Sequence, residues 1–126
     1  MINEKSMTFG EFLAKKRGER DLTLREMARK LEVSAAFLSD VEKNRSAPLT
    51  KERLDKVIEI LKLTPAEATA IYDLAGKQRN ALAVDLPEYI MERRYVVEAL
   101  RTARDLHASE AEWLKFVEDL KNRQKE

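Results

Sequence analysis

The sequence predicts an all-α protein, and three observations support that fold class. Capping patterns in which a Ser, Thr or Asp precedes a Glu by three residues supply the reciprocal hydrogen bonds that begin a helix. Apolar residues at the spacing of a helix follow each pattern, and no segment alternates apolar and polar residues as a half-buried strand does. The five patterns are Thr8–Glu11, Thr23–Glu26, Thr64–Glu67, Asp85–Glu88 and Ser109–Glu112.

These signals divide the N-terminal part of the chain into five helices. The third is capped by Ser34, whose hydroxyl can accept a hydrogen bond from the first turn, and the fourth by Thr50. The fifth begins at Pro65, which the first helical position tolerates, and ends at Gly76, a residue type that commonly follows a helix end. The expected spans are about 9–20, 24–31, 35–43, 51–61 and 65–75.

A second helical region lies beyond residues 77–86, which read as a linker. The segment from Pro87 to Leu106 is expected to be helical with a break near Glu92, where charged groups interrupt the apolar face. A last helix runs from Glu110 to about Asn122. The predicted organisation is an N-terminal domain over residues 1–76, the linker, and a C-terminal helical hairpin over residues 87–126.

The stretch from Thr23 to Val41 has the spacing of a helix-turn-helix, with two short helices separated by the turn 32–34. Ala28 is small where the crossing helices must approach closely, and Val33 and Leu38 supply apolar packing that fixes the angle between them. In such a motif the second helix protrudes enough to enter a major groove about 12 Å wide. The pattern therefore predicts DNA binding through the third helix of the chain.

The segment FGEFLAKKRGERDLTLREMARKLEVSAAFLSDVEKNRSAP resembles the lambda-repressor-like, XRE-type (Cro/C1-type) helix-turn-helix domain. Its most specific parts are LTLREMA, VSAAFLSDVE and a basic loop that ends at Pro48. The resemblance continues to about Ala75 and covers about three-fifths of the chain. It implies a lambda-repressor-like five-helix domain that binds double-stranded DNA and regulates transcription.

The resemblance also implies a role for individual residues. Arg17 and Glu42 fall on positions that often form an ion pair between the first helix and the end of the third. The residues expected to face base edges are Ala35, Ala36, Ser39 and Asp40. Those expected to face phosphates are Thr23, Leu24, Arg25, Lys43, Asn44 and Arg45.

Several polar residues are expected to have ordinary structural or solvated positions. Lys15, Lys16 and Arg20 of the first helix read as a solvated face. Glu32 occupies a turn position that is commonly glycine, and a positive φ there would strain its backbone. His107 lies near a helix end, where capping is the expected role for a lone histidine.

Composition argues against an enzyme and against a membrane protein. The 126-residue chain is 44% hydrophobic and 37% charged, and no apolar run has the roughly 20 residues that a membrane helix needs. Without cysteine it has no disulfide or thiolate metal site, and without a secretory signal it is expected to be cytoplasmic. Three glycines form no phosphate-binding loop, and one histidine forms no zinc cluster. We expect no catalytic residue, metal ligand or cofactor.

The C-terminal helices are the second candidate functional region. They could close a hairpin on themselves or form a dimer seam, and we expect a hairpin that completes its core across a two-fold axis. The sequence thus predicts a dimeric repressor of a palindromic operator, or alternatively an antitoxin-like or adaptor protein whose C-terminal helices bind a protein partner. The predicted interface residues are Val96, Leu100, Trp113, Phe116, Val117 and Leu120.

Overall fold

The computed structural model describes residues 6–124, and the chain divides after Pro87 into two compact units. Within the described residues the protein is all-helical, which confirms the predicted fold class. The first five residues of the predicted N-terminal domain and the last two of the C-terminal region lie outside this range. The helices are α1 (Phe9–Glu19), α2 (Leu24–Leu31), α3 (Ala35–Glu42), α4 (Lys51–Leu61), α5 (Pro65–Gln78), α6 (Pro87–Met91), α7 (Arg94–Asp105) and α8 (Glu110–Arg123).

Reciprocal capping boxes begin four of these helices, as predicted, at Thr8, Thr23, Thr64 and Ser109. The fifth predicted box, Asp85–Glu88, is wrong. Because Pro87 is pre-organised for the first helical position, α6 begins there and Glu88 is already its second residue. The predicted break near Glu92 lies between α6 and α7.

The five helices of the first unit surround one apolar core. Helix α1 packs on α3 and α5, α2 packs on α3 and α4, and α4 packs on α5. This arrangement supports α3 from two sides. The buried apolar side chains are Phe9, Phe12, Leu13, Met27, Ala28, Leu31, Leu38, Val41, Leu49, Leu54, Val57, Leu61, Ile71, Leu74 and Ala75.

Helix α5 does not end at Gly76, and that prediction is wrong. The helix continues to Gln78, and the chain then returns over it so that Ala81 N–H donates to the Gly76 carbonyl at 2.8 Å. A Cβ at Gly76 would lie 2.6 Å from the backbone carbon of Leu82. Glycine is therefore needed here for close approach of two backbone segments, whereas its φ is not positive. Val84 packs against the core of the first unit.

Left-handed backbone conformations occur at residues other than glycine. Glu32 has φ 60° at the end of α2, so it adopts the strained conformation considered for the turn. Lys62 takes the same conformation at the end of α4, and His107 takes it just beyond α7. None of the three glycines, all of which are described, has a positive φ.

The second unit contains α7 and α8, and neither helix has a buried residue. An open groove of about 480 Å³ lies between the two helices. Its lining is largely apolar and includes Val96, Leu100, Trp113 and Phe116. Val117 and Leu120 lie on the same helix as Trp113 and remain 43% and 41% exposed. This unit has no enclosed core of its own among the residues described.

Candidate nucleic-acid interface

Helix α3 is anchored by one face and exposes the other. Ser34 caps it by accepting a hydrogen bond from the Phe37 N–H at 3.0 Å, and Leu38 and Val41 are buried in the core. The four residues expected to face bases lie elsewhere on the helix. Ala36 is exposed, whereas Ala35, Ser39 and Asp40 are half-buried. Ala35 also packs against the core.

The end of α3 is tied to α1 by a two-bond ion pair. Arg17 Nε lies 2.7 Å from Glu42 Oε2, and Arg17 Nη2 lies 2.9 Å from Glu42 Oε1. A third donor, Nη1, bonds the Leu22 carbonyl at 2.9 Å in the segment before α2. The hydrogen bond to Glu42 raises the pKa of Arg17. One guanidinium thus links α1, α3 and the entry to α2, and fixes the orientation of the helix-turn-helix.

The start of α1 contacts the same end of α3. Asn44 accepts a hydrogen bond from the Gly10 N–H at 3.0 Å and donates one to the Thr8 hydroxyl at 2.8 Å. A side chain at Gly10 would collide with the backbone of Glu42 and lie 2.7 Å from the Val41 carbonyl oxygen. The amide of Asn44, a residue expected to face phosphate, is therefore already engaged within the protein. Its position serves to hold α3 against α1.

The start of α2 combines basic and acidic groups. The Thr23 hydroxyl accepts from the Glu26 N–H at 3.1 Å, and Glu26 accepts from the Thr23 N–H at 3.1 Å. The bond from the Thr23 N–H is the main reason that the pKa of Glu26 is lowered. Leu24 packs partly on the core, whereas Arg25 is exposed. Leu24 and Arg25 supply the first N–H groups of the helix, which have no acceptor within it.

Charged residues also meet at the end of α3. Arg45 Nη1 lies 4.0 Å from Asp40 Oδ1, and the two side chains are 68% and 47% exposed. The Arg45 N–H donates to the Asp40 carbonyl at 2.8 Å, which fixes the chain as it leaves the helix. Lys43 is exposed beside them. The basic side chain of Arg45 thus offsets part of the negative charge that Asp40 brings to this surface.

The expectation that the basic residues of α1 form a solvated face is wrong for Lys16 and Arg20. Lys16 is 4% exposed, and its Nζ lies 2.7 Å from Glu67 Oε2 and 3.2 Å from Glu19 Oε1. Arg20 Nε donates to the Leu61 carbonyl at 2.7 Å. The periodicity of α1 alone could not locate Leu61 and Glu67, because these partners come from α4 and α5.

One exposed basic residue was missed by the sequence analysis. The guanidinium carbon of Arg53, in the first turn of α4, lies 5.4 Å from the centre of the Phe37 ring on α3. The two residues lie on consecutive helices separated by a loop, so the pattern of neither helix alone joins them. A basic residue in the first turn of a helix, where the dipole disfavours positive charge, was the available signal.

Within residues 6–124, no cluster of three His, Asp or Glu side chains could hold a metal ion. No helix in that range is long and apolar enough to cross a membrane.

Comparisons with known proteins give a family match over half of the chain. A family model described as a helix-turn-helix domain matches residues 8–71. A chain from a solved SinR protein/SinI protein complex aligns with 21% sequence identity and a TM-score of 0.45. That alignment covers 94% of this chain and 100% of the other. No curated protein matches the sequence.

Proposed function

We propose that this chain, which belongs to the helix-turn-helix domain family, is a DNA-binding regulator that represses transcription as a homodimer on a palindromic operator. The observation that carries this proposal is the way in which α3 is held by the rest of the domain. Its buried face is held by Leu38 and Val41, and its end is held by the Arg17–Glu42 pair. A rigidly held helix with an exposed opposite face suits insertion into a major groove.

The proposed contacts divide into those that read bases and those that position the protein. Ser39 can donate or accept, Asp40 can accept from cytosine N4, and the methyl groups of Ala35 and Ala36 can pack on thymine. Phosphate contacts come from the exposed side chains of Arg25, Lys43 and Arg45, together with the start of α2, where Thr23 is the cap and the N–H groups of Leu24 and Arg25 have no acceptor within the helix. Asn44 is exposed, and in this proposal it both holds α3 in place and faces a phosphate.

Dimerisation is proposed to occur through the second unit. Exposed apolar side chains line its groove, and the Trp113 ring meets Phe116 edge-on with centres 6.4 Å apart. Contiguous apolar surface of this kind usually marks an interface. Two hairpins packed together would form a helical bundle whose core comes from both copies. The proposed seam comprises Val96, Leu100, Trp113, Phe116, Val117 and Leu120.

The same apolar groove supports a second candidate function. An antitoxin-like or adaptor protein would cover this groove with a helix from a different protein. The two candidates differ in the behaviour of the purified chain. A homodimer sediments as a dimer at micromolar concentration without any addition, whereas an adaptor awaiting its partner sediments as a monomer.

DNA recognition can be tested by selecting from random duplex DNA at about 0.15 M salt, which suppresses binding driven by charge alone. A dimeric operator-binding protein is expected to enrich a palindrome with half-sites about 10 base pairs apart. Weak, salt-sensitive binding with no enriched sequence would contradict the proposed sequence-specific function.

A further inference from the structure

We propose that Arg53 is a further DNA phosphate-contacting residue and that Phe37, on α3, holds its side chain in position. This inference rests on the proposed function. It adds a contact at the beginning of α3, whereas the contacts proposed above lie at the beginning of α2 and just beyond the end of α3.

The position of Arg53 follows from the packing of α4. Its backbone N–H donates to the hydroxyl of Thr50, the residue that caps this helix, at 3.4 Å. Its guanidinium lies over the Phe37 ring, with 5.4 Å between the guanidinium carbon and the ring centre. Phe37 directly follows the exposed Ala36, in the first turn of α3. The side chain of Arg53 therefore packs against the first turn of α3, which is the part of that helix expected to meet bases.

The chemistry of this contact leaves Arg53 able to bind an anion. A guanidinium over an aromatic ring presents its face to the ring, while its N–H donors lie at its edges. Those donors form a fork that matches the oxygens of a phosphate. Among residues 6–124, no carboxylate lies within ion-pair distance of Arg53, in contrast to Arg17 and Arg45. Its charge is thus available to a ligand.

The surroundings of Arg53 form a shallow cleft at the start of α3. The cleft has a volume of about 260 Å³, and Ser34 is one of the residues that line it. Glu32 is the acidic residue in its lining, and Glu32 Oε2 lies 3.5 Å from Lys56 Nζ, which offsets its charge. Sugar-phosphate backbones border the major groove on both sides. An arginine beside the start of the inserted helix is placed to contact one of them.

The first test is Arg53→Gln, with DNA dissociation constants measured at several salt concentrations. Because each protomer of the proposed dimer contributes one Arg53, two phosphate contacts are lost, and binding is expected to weaken about 10-fold for each contact, equally for the selected site and for unrelated duplexes. The slope of log K against log salt should fall in magnitude by about 1.8, which is about 0.9 for each contact. Lys62→Gln is the matched control, because Lys62 is an exposed cation at the other end of the same helix. The DNA affinity and the salt slope of the Lys62→Gln variant should equal those of the wild type.

The role of Phe37 is tested by a double-mutant cycle. Phe37→Leu keeps an apolar side chain but removes the ring, so it should weaken DNA binding when Arg53 is present and have no further effect in the Arg53→Gln background. Thermal unfolding of each variant shows whether the fold is retained. Additive effects of the two substitutions would overturn the positioning role of Phe37.

The outcomes separate this inference from the proposed function. If the wild type selects an operator while Arg53→Gln keeps its affinity and salt slope, the contact at Arg53 is overturned and the proposed function stands. If the wild type binds no DNA, the proposed function fails and this inference fails with it.

Discussion

Two glycines of α1 have opposite surroundings. A Cβ at Gly18 would have no atom within 4 Å, whereas one at Gly10 would collide with the backbone at the end of α3. Glycine in a helix costs about 0.5–1 kcal/mol relative to alanine because its backbone loses more freedom on folding. The same substitution is therefore expected to have opposite effects at the two positions.

We expect Gly18→Ala to raise the free energy of unfolding by about 0.5 kcal/mol and Gly10→Ala to lower it by about 1–3 kcal/mol, since the added methyl group forces two backbones apart. Urea unfolding of the two variants measures both changes. Equal stability of the two variants would show that α1 and α3 are not in the close contact described.

Asp40 places a carboxylate on the surface proposed to face DNA, 4.0 Å from Arg45. Asp40→Asn removes a charge that repels phosphates and leaves Arg45 without its acidic neighbour. We expect affinity for unselected DNA to rise about 10-fold, because like charges in an interface are costly. Discrimination between the selected site and other sequences should fall if Asp40 reads a cytosine.

Filter binding to selected and unrelated duplexes measures both effects of Asp40→Asn. Asp73→Asn is the control, since it removes an equal charge from an exposed position on α5. An increase of the same size in both variants would mean that only net charge matters, and that Asp40 has no local role.

At the scale of elements, α1 is joined to α5 by a partly buried ion cluster. The hydrogen bond from Lys16, followed by that from the Thr64 N–H, holds the pKa of Glu67 at about 2. Arg20 Nη2 and Glu19 also border this cluster, and the arginine lies 3.6 Å from Glu67 Oε1. Because Lys16 is buried, it depends on these carboxylates to compensate its charge.

Glu67→Gln is expected to lower the free energy of unfolding by about 2 kcal/mol at pH 7. The pKa of Glu67 is lower in the folded state, so its contribution is present above the unfolded value of about 4.5 and is lost as the pH falls towards 2. The wild type should therefore lose stability across that window, and the variant should lose less. Urea unfolding from pH 7 to pH 2 tests this, with Glu59→Gln as the exposed control.

The extent to which sequence predicts these elements depends on how local their causes are. The span of α2 matches its prediction because the Thr23 cap and the apolar spacing act within a few residues. The end of α5 was placed wrongly because the backbone of Leu82 lies against Gly76. Arg79 then donates to the carbonyls of Pro48 and Leu49 in the loop before α4. Such contacts follow from tertiary packing, and no local pattern encodes them.

The candidate site likewise combines features that local sequence predicts with features that depend on tertiary packing. The outward residues of α3 follow from helical periodicity once Leu38 and Val41 are assigned to the core. The pairing of Arg53 with Phe37, and the hydrogen bond between Asn44 and the start of α1, depend on how separate helices pack against one another. Asn44 remains exposed, and its hydrogen bonds to the start of α1 give it a structural role that residue type alone did not predict.

At the scale of the whole molecule, burial is confined to one of the two units. The described helices α7 and α8 have no buried residue, and their apolar side chains are at most half-buried, so the proposed dimer would supply most of the apolar burial of this unit. We expect Trp113→Ala to dissociate the proposed dimer, because it removes a large side chain from the groove. DNA affinity should fall with it, since a monomer engages one half-site at a time.

Analytical ultracentrifugation over a range of concentrations measures the dissociation caused by Trp113→Ala. Leu114→Ala is the matched control, because Leu114 is an exposed apolar residue of α8 that does not line the groove. If the Trp113 variant remained a dimer, the dimer interface would not include this groove. If both variants dissociated equally, the interface would also include the side of α8 that carries Leu114.

Trp113 is the single tryptophan of the chain. Its indole is 37% exposed in the groove of the second unit, and the aromatic residues of α1–α5 are phenylalanines and Tyr72. Because indole emission shifts to shorter wavelength when water leaves the ring, selectively excited fluorescence follows the covering of this groove and receives no signal from the DNA-binding unit. The protein thus carries a built-in optical reporter of any binding that covers this groove, readable without any added dye.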